Sequence, residues 1–209
     1  MMLADGYCPK TNDAIIRKAL KKKLLHEDHK NDPETIIVEE LGLKHGDARV
    51  DLAVINGVLH GFELKSDLDT LFRLPGQMKI YNLTLDQITL VVGKDHLVEA
   101  MKIIPDWWGV LIAKSVGAAG DIRFYEIRSA ENNPSLDNIA IAHLLWRDEA
   151  LHILEQLGQA KGVRSKSRKV IYERLTAVLS RDELRQIVRK CLSTRINWRP
   201  EKQCMLNGD

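Results

Sequence analysis

The dipeptide Asn56-Gly57, flanked by two segments that alternate between apolar and polar residues, is the strongest local constraint on the fold. Residues 48–55 (ARVDLAVI) and 58–65 (VLHGFELK) have the period of two that is typical of half-buried strands. Asn-Gly between two such segments is typical of a tight antiparallel turn. We therefore predict a β-hairpin over residues 48–65.

The register of this hairpin decides which side chains share a face. A plain two-residue turn would place Asp51 and Glu63 on opposite faces of the sheet. A one-residue bulge, with Gly57 at positive φ and Val54 opposite Val58, places both carboxylates on one face. Burial of a complete apolar face favours the bulge, so we predict it. The apolar face would then comprise Val50, Leu52 and Val54 with Phe62 and Leu64.

The remaining pattern predicts helices that alternate with strands, followed by helices alone. The N-terminal part has predicted helices at 12–30, 69–84 and 97–104, buried strands at 88–92 and 109–113, and an edge strand at 121–127. The C-terminal part has predicted helices at 136–146, 147–157, 166–179 and 181–194. This order predicts an α/β core over residues 1–132 and a helical appendage over residues 133–209.

Residues 34–41 (ETIIVEEL) admit two structures. We predict a short helix that ends at Gly42, although the run Ile36-Ile37-Val38 also fits a strand because β-branched residues favour extended backbone.

Composition excludes several classes of protein. Hydrophobic residues make up 44% of the 209 and charged residues 29%, which is the balance of an ordinary globular chain. Aromatic residues reach only 5%, which argues against a protein that works mainly by stacking aromatic rings on bases or sugars. The sequence contains no apolar run long enough to span a membrane. Three cysteines at irregular spacing predict neither a disulfide nor a zinc framework, so the reducing cytoplasm is the expected compartment.

A net charge of +2 conceals an asymmetry. Residues 147–209 contain 14 Lys or Arg and 8 Asp or Glu, a net charge of +6, which leaves −4 on residues 1–146. Such a basic tail predicts contact with a polyanion, although a solvated helical face fits the charge equally well.

The hairpin carries the residues with the clearest chemistry. Glu63 and Lys65 project from the same face of their strand, and the bulge brings Asp51 to them. Two nearby carboxylates repel each other unless a cation lies between them. Hard oxygen ligands suit Mg²⁺, which also binds phosphate oxygens and activates water. This set therefore predicts phosphodiester hydrolysis, with an exposed ladder of salt bridges as the structural alternative.

Asp51 and, after eleven intervening residues, Glu63-Leu64-Lys65 resemble the core of the PD-(D/E)XK nuclease superfamily. The pair Gln77 and Tyr81 is similar to the Gln-x-x-x-Tyr helix of RecB-type members of that superfamily.

Two longer segments strengthen the likeness. The stretches GDARVDLAVINGVLHGFELKSDLDTLFRL and IIPDWWGVLIA resemble a small bacterial and phage family placed in the same superfamily. The likeness covers residues 34–127, with Val50 where the motif has proline.

The resemblance implies a restriction-endonuclease-like core, a mixed central sheet flanked by helices, and a Mg²⁺- or Mn²⁺-dependent nuclease that acts on DNA. It implies that Asp51, Glu63 and the Leu64 carbonyl bind the metal ion and that Lys65 positions the attacking water. Glu40 is the first candidate for the helix carboxylate that binds or supports the metal, and Glu39 is the second.

Four further side chains are candidates for substrate binding. Gln77 and Tyr81 are four residues apart on one helix face and offer neutral hydrogen bonds, although Tyr81 also fits the core. Arg49 and Arg73 are candidates for phosphate contacts, although Arg49 could equally pair with one of the glutamates.

The C-terminal part contains a helix, a basic Gly-containing loop and a second helix, an order that resembles a SAP-type DNA-binding motif. Its candidate phosphate contacts are Lys161, Arg164, Lys166, Arg168 and Lys169. The alternative is a helical hairpin that packs on the core or on a second subunit in a homodimer. Two other functions stay open for the whole chain, a catalytically silent nucleic-acid-binding protein and a protein-interaction module.

Overall fold

The computed structural model describes residues 9–30, 32, 34–117 and 120–195. Its centre is a six-stranded sheet in which the strands lie in the order of the chain. The first three strands and the last pair are antiparallel, whereas the third, fourth and fifth are parallel. The strands are β1 (Ile36–Leu43), β2 (Ala48–Ile55), β3 (Leu59–Lys65), β4 (Gln87–Gly93), β5 (Gly109–Val116) and β6 (Asp121–Arg128).

Helices cover both faces of the sheet, which confirms the predicted mixed α/β fold with a helical C-terminal region. The helices are α1 (Asp13–Lys23), α2 (Leu74–Thr84), α3 (Leu97–Ile103), α4 (Asn138–Ala142), α5 (Arg147–Gln156), α6 (Arg168–Val178) and α7 (Arg181–Thr194). A π-helical turn over Leu24–Asp28 extends α1. Helix α2 starts five residues later than predicted because Pro75, which lacks a backbone N–H, lies in its first turn.

Two apolar clusters form the core, one on each face of the sheet. The smaller cluster joins Ile16 and Leu20 of α1 to Leu52, Phe62 and neighbouring apolar residues of the sheet. The larger cluster joins the opposite face to α2, α3 and all four C-terminal helices. The helical region thus buries its apolar side chains in the same cluster as the sheet.

The predicted helix at 34–41 is wrong, because these residues lie in and just before strand β1. The β-branched run Ile36-Ile37-Val38 forms its first three residues, and the strand pairs with β2 from Ile36↔Ile55 to Leu43↔Ala48. Glu39 and Glu40 therefore lie on a strand and not on a helix.

The side chains of β1 and β2 break their alternation between the two faces of the sheet at the same point along the ladder that joins the strands. The pairs Glu39↔Leu52 and Leu41↔Val50 place Glu40 opposite Asp51. Glu40 has φ +53°, a left-handed conformation that costs a non-glycine residue free energy. Beyond this point Val50 joins the larger cluster, whereas Leu52 belongs to the smaller one. The predicted common apolar face for Val50 and Leu52 is therefore wrong.

The hairpin between β2 and β3 has a three-residue connection. Ile55 pairs with Leu59, and Gly57 has φ +93°, a conformation that favours glycine. Val54 lies opposite His60 and not opposite Val58, so the predicted register was two residues short. A shift of two preserves the alternation of faces.

A buried carboxylate connects the helical region to the sheet. Asp86, between α2 and β4, accepts hydrogen bonds from the main-chain N–H of Leu59 at 2.8 Å and from Arg185 Nε at 2.7 Å. Arg189 of α7 adds a third bond at 3.2 Å. Asp86 therefore ties the last helix to the start of β3.

Candidate active site

A cleft of about 680 Å³ opens where the ladder between β2 and β3 ends. The last pair of that ladder is Leu52↔Phe62. Beyond it, Asp51 Oδ2 accepts a hydrogen bond from the main-chain N–H of Leu64 at 2.7 Å, so a side chain bridges the two diverging strands. We call this the carboxylate cleft, and it is lined by Asp51, Glu63, Lys65, Glu40, Arg17, Arg49, Arg73 and Gln77, among others.

Glu63 lies at the bottom of the carboxylate cleft and is only 1% exposed. Its Oε1 accepts a hydrogen bond from Gln77 Nε2 at 2.7 Å, and its Oε2 lies 2.7 Å from the Tyr81 hydroxyl. Burial, together with the charge of Asp51, raises the pKa of Glu63 to about 7 against the opposing effect of Lys65. A negative charge at this position therefore needs a nearby cation.

The Lys65 ammonium is that cation in this structure. It is buried, contacts Glu63 Oε1, and donates a hydrogen bond to the Leu64 carbonyl at 3.2 Å. The ammonium thus contacts two of the oxygens that the sequence resemblance assigns to a metal ion.

A second cation, Arg17 of α1, holds the other two carboxylates. Its guanidinium lies 2.8 Å from Asp51 Oδ1 and 2.9 Å from Glu40 Oε1, and it donates to the Asp51 main-chain carbonyl at 2.9 Å. Sequence reasoning missed Arg17, because its spacing from Asp13 is that of an ordinary surface pair on a helix. The change of face at Glu40 and Asp51 brings both carboxylates to this one guanidinium.

Gln77 and Tyr81 share a face of α2 as predicted, and Gln77 Nε2 lies 3.2 Å from the Tyr81 hydroxyl. Tyr81 is fully buried, and its hydroxyl also contacts the Arg49 main-chain carbonyl. Burial and the charge of Glu63 raise the pKa of Tyr81, which keeps the phenol protonated. The tyrosine is therefore a core residue that also fixes one oxygen of Glu63.

The rim of the carboxylate cleft carries two exposed arginines, and the loop that precedes Arg73 carries an exposed phenylalanine. Arg49 and Arg73 are exposed and line the cleft, with Arg73 immediately before α2. Phe72 is 90% exposed and Leu68 is 64% exposed, and both lie in the loop that follows Lys65. Sequence reasoning did not single out Phe72, since a phenylalanine in an apolar stretch is usually buried.

The donor set suits a hard divalent cation with few protein ligands. Within the described ranges, no group of three or more His, Cys, Asp or Glu side chains is placed to hold a metal ion. The oxygens on offer are those of Asp51, Glu63 and the Leu64 carbonyl, and Mg²⁺ commonly keeps several waters in addition to one or two carboxylates. Asp51, Glu63 and the Leu64 carbonyl offer oxygens of the kind that such an ion prefers, whereas Glu40 contacts Arg17.

The five candidate phosphate contacts of the C-terminal part lie in the loop between α5 and α6 and at the start of α6. Arg164 pairs with Glu155 at 2.9 Å, and Lys169 lies 3.9 Å from Glu173. Lys161 and Lys166 are exposed. None of these five described residues lines the carboxylate cleft, and Arg168 lines a separate cleft beside it.

Fold and site together define a mixed α/β protein with a cleft of alternating acidic and basic groups at the open end of a hairpin. The family described as Bacteriophage P4 protein cII matches residues 9–208, and the chain therefore belongs to that family. The expected likeness to a phage family is confirmed, whereas membership of the PD-(D/E)XK nuclease superfamily stays a prediction.

The chain is similar to two individual proteins over part of its length. Protein cII of Enterobacteria phage P4 is 30% identical over 145 residues, which cover 69% of this chain and 52% of that relative. The chain therefore spans about half the length of that relative. A solved structure of a protein of unknown function from Silicibacter pomeroyi aligns with 73% of this chain and 94% of its own, at 21% identity and a TM-score of 0.40. No helix in the described residues is long and apolar enough to cross a membrane.

Proposed function

We propose that this protein is a Mg²⁺- or Mn²⁺-dependent nuclease of the PD-(D/E)XK type that hydrolyses phosphodiester bonds of DNA. The observation that carries the proposal is the convergence of Asp51, Glu63 and Lys65 in one cleft, at the point where the hairpin strands diverge. The exposed ladder of salt bridges that is the structural alternative does not describe Glu63 and Lys65, because both are almost completely buried.

The proposed roles follow from the contacts of each side chain. Asp51, Glu63 and the Leu64 carbonyl would hold the metal ion, which would polarise a phosphoryl oxygen and acidify a bound water. Lys65, once released from Glu63, would orient the attacking water and neutralise the charge that develops on the phosphate. Gln77 and Tyr81 would act as positioning residues, because they hold both oxygens of Glu63.

Arg49 and Arg73 would bind the phosphates on either side of the scissile bond, since both lie at the rim of the cleft. The basic loop between α5 and α6 would add affinity that does not depend on sequence and that weakens with salt.

One observation favours a second candidate, a catalytically silent nucleic-acid-binding protein. Arg17 occupies the space between Asp51 and Glu40, so an ion bound to Asp51 would have to share that carboxylate with a guanidinium. A protein that binds nucleic acid through the basic rim needs no metal ion at all.

The two candidates are separated by cleavage assays on single- and double-stranded DNA with and without Mg²⁺ or Mn²⁺. The variants are Lys65→Met, which removes the charge and keeps most of the volume, and Lys102→Ala as the control, because Lys102 is exposed on α3 away from the cleft. Thermal melts of all three proteins check that they are folded.

We expect metal-dependent cleavage by the wild type and by Lys102→Ala, and a loss of at least about a hundredfold in Lys65→Met, as for other lost electrostatic contacts in active sites. Binding without cleavage at any metal concentration would support the silent candidate. Absence of both binding and cleavage would leave the protein-interaction module.

A further inference from the structure

A second cleft, of about 470 Å³, lies beside the carboxylate cleft and shares Gly46 and Arg49 with it. Its other walls come from the turn between β1 and β2 and from the starts of α5 and α6. We call it the arginine cleft, after the four arginines that line it, Arg49, Arg147, Arg168 and Arg195. Among the described residues Asp148 is the one acidic residue in its lining.

Two of the arginines that line the cleft have described partners. Arg195 is paired with Glu149, with Nε at 2.8 Å from Oε1, and its guanidinium lies 4.3 Å from the centre of the Trp146 ring. Arg147 donates to main-chain carbonyls, which orient the guanidinium but do not cancel its charge, and its partner Asp148 is 93% exposed at 3.3 Å.

The start of α6 adds to this potential. Arg168 is the first residue of an eleven-residue helix that has no acidic side chain in its first turn. Within the described structure the N-cap Ser167 makes no side-chain hydrogen bond to that turn. Main-chain N–H groups at a helix start favour an anion, and here they lie next to an arginine in a cleft.

Aromatic rings form the remaining wall. His45 contacts His143 at a tilt of 40°, with ring centres 4.6 Å apart, and stacks on the buried ring of Tyr172 at 5.8 Å. Burial lowers the pKa of both histidines, which favours the neutral rings as flat surfaces over charged ones. His143 Nδ1 is buried without a hydrogen-bond partner among the described residues.

We propose that the arginine cleft binds a nucleoside monophosphate unit, with the phosphate at the arginines and the start of α6 and the base against the aromatic wall. Two sources offer this unit, a free nucleotide or the phosphorylated end of a DNA strand whose next phosphodiester lies in the carboxylate cleft. Only the second source rests on the proposed nuclease function.

The test is calorimetric titration of the full chain in EDTA with deoxyadenosine 5′-monophosphate, deoxyadenosine and inorganic phosphate. Arg168→Ala is the test variant. Arg174→Ala is the matched control, because it removes the same side chain from an exposed position of the same helix outside the cleft. We expect the nucleotide to bind more tightly than either fragment and Arg168→Ala to weaken it at least about tenfold, with Arg174→Ala close to the wild type.

A second titration distinguishes the two sources. Tighter binding of a short DNA strand with a 5′-phosphate than of the same strand with a 5′-hydroxyl identifies the strand end, and equal binding of the two identifies the free nucleotide. Failure of the nucleotide to bind, or equal weakening by Arg168→Ala and Arg174→Ala, overturns the proposal. The same titrations with Lys65→Met keep this result separate from any failure of the nuclease proposal, because nucleotide binding does not require Lys65.

Discussion

Replacement of Arg17 by methionine removes the guanidinium that joins Asp51 to Glu40 and retains a side chain of similar length on α1. In the wild type this group contacts Asp51 at 2.8 Å and Glu40 at 2.9 Å, and the side chains of Arg17 and Asp51 are 19% and 17% exposed. Exposed ion pairs contribute 0–1 kcal/mol, and removal of one partner from a buried pair costs about 3–5 kcal/mol. The intermediate burial places the expected loss near 2 kcal/mol.

This loss corresponds to a fall in Tm of about 4–8 °C for a domain of this size. The replacement of Arg17 should also change how Mn²⁺ affects the Tm. If the carboxylate cleft binds divalent cations, the variant has lost a competing cation, so Mn²⁺ should raise its Tm by more than it raises that of the wild type. At a concentration one hundred times the dissociation constant, the gain in free energy of unfolding is about 2.7 kcal/mol.

The assay is thermal unfolding followed by circular dichroism, with and without Mn²⁺. Arg123→Met serves as the control, because Arg123 is exposed on the edge strand β6 and its replacement should change the free energy of unfolding by less than about 0.5 kcal/mol. An Arg17→Met protein as stable as the wild type would refute the assigned role of the guanidinium. Equal Mn²⁺ shifts in both proteins would refute competition between Arg17 and the metal ion.

Three further predictions concern individual positions. Glu40→Gly should be about 1 kcal/mol more stable than Glu40→Ala in denaturant titrations, because φ is +53° at this position and both variants lack the ion pair with Arg17; a less stable glycine variant would contradict the assigned strain. Burial lowers the pKa of His60 to about 4, so the folded state holds a neutral imidazole while the unfolded state takes up a proton near its ordinary value. Stability should therefore be complete above that ordinary value and should fall by about 2 kcal/mol between about pH 7.5 and about pH 5, a fall that His60→Gln should remove. Phe72→Ala should weaken binding of single-stranded DNA about fivefold or more through the loss of one stacked base and leave Tm unchanged, since the ring is 90% exposed; unchanged affinity would exclude stacking.

Local features of the chain were predictable because their causes are local. Alternation in residues 48–55 and 58–65 predicted two strands, and the turn at Asn56-Gly57 predicted their pairing, while the three-residue connection changed only the register. The four-residue spacing of Gln77 and Tyr81 predicted a common helix face, and both side chains contact Glu63.

Features that depend on distant elements were not predictable in the same way. The helix expected around Glu40 is a strand, because its extended backbone is stabilised by pairing with β2. Arg17 is 34 residues from Asp51 along the chain, and nothing in the local pattern of α1 points to that contact. The arginine cleft combines residues from Arg49 to Arg195, which only the packing of α5 and α6 against the β1–β2 turn brings together.

The bonds of Asp86 have a consequence for ligand size. Because this carboxylate holds Arg185 and Arg189 of α7 against the start of β3, the helical layer cannot slide or tilt freely over the sheet. The arginine cleft lies between the β1–β2 turn and the helical region, so we expect its width to stay the same when a ligand binds. Relatives that bind a larger or smaller ligand would then differ in the side chains that line the cleft, while the main chain around it stays the same.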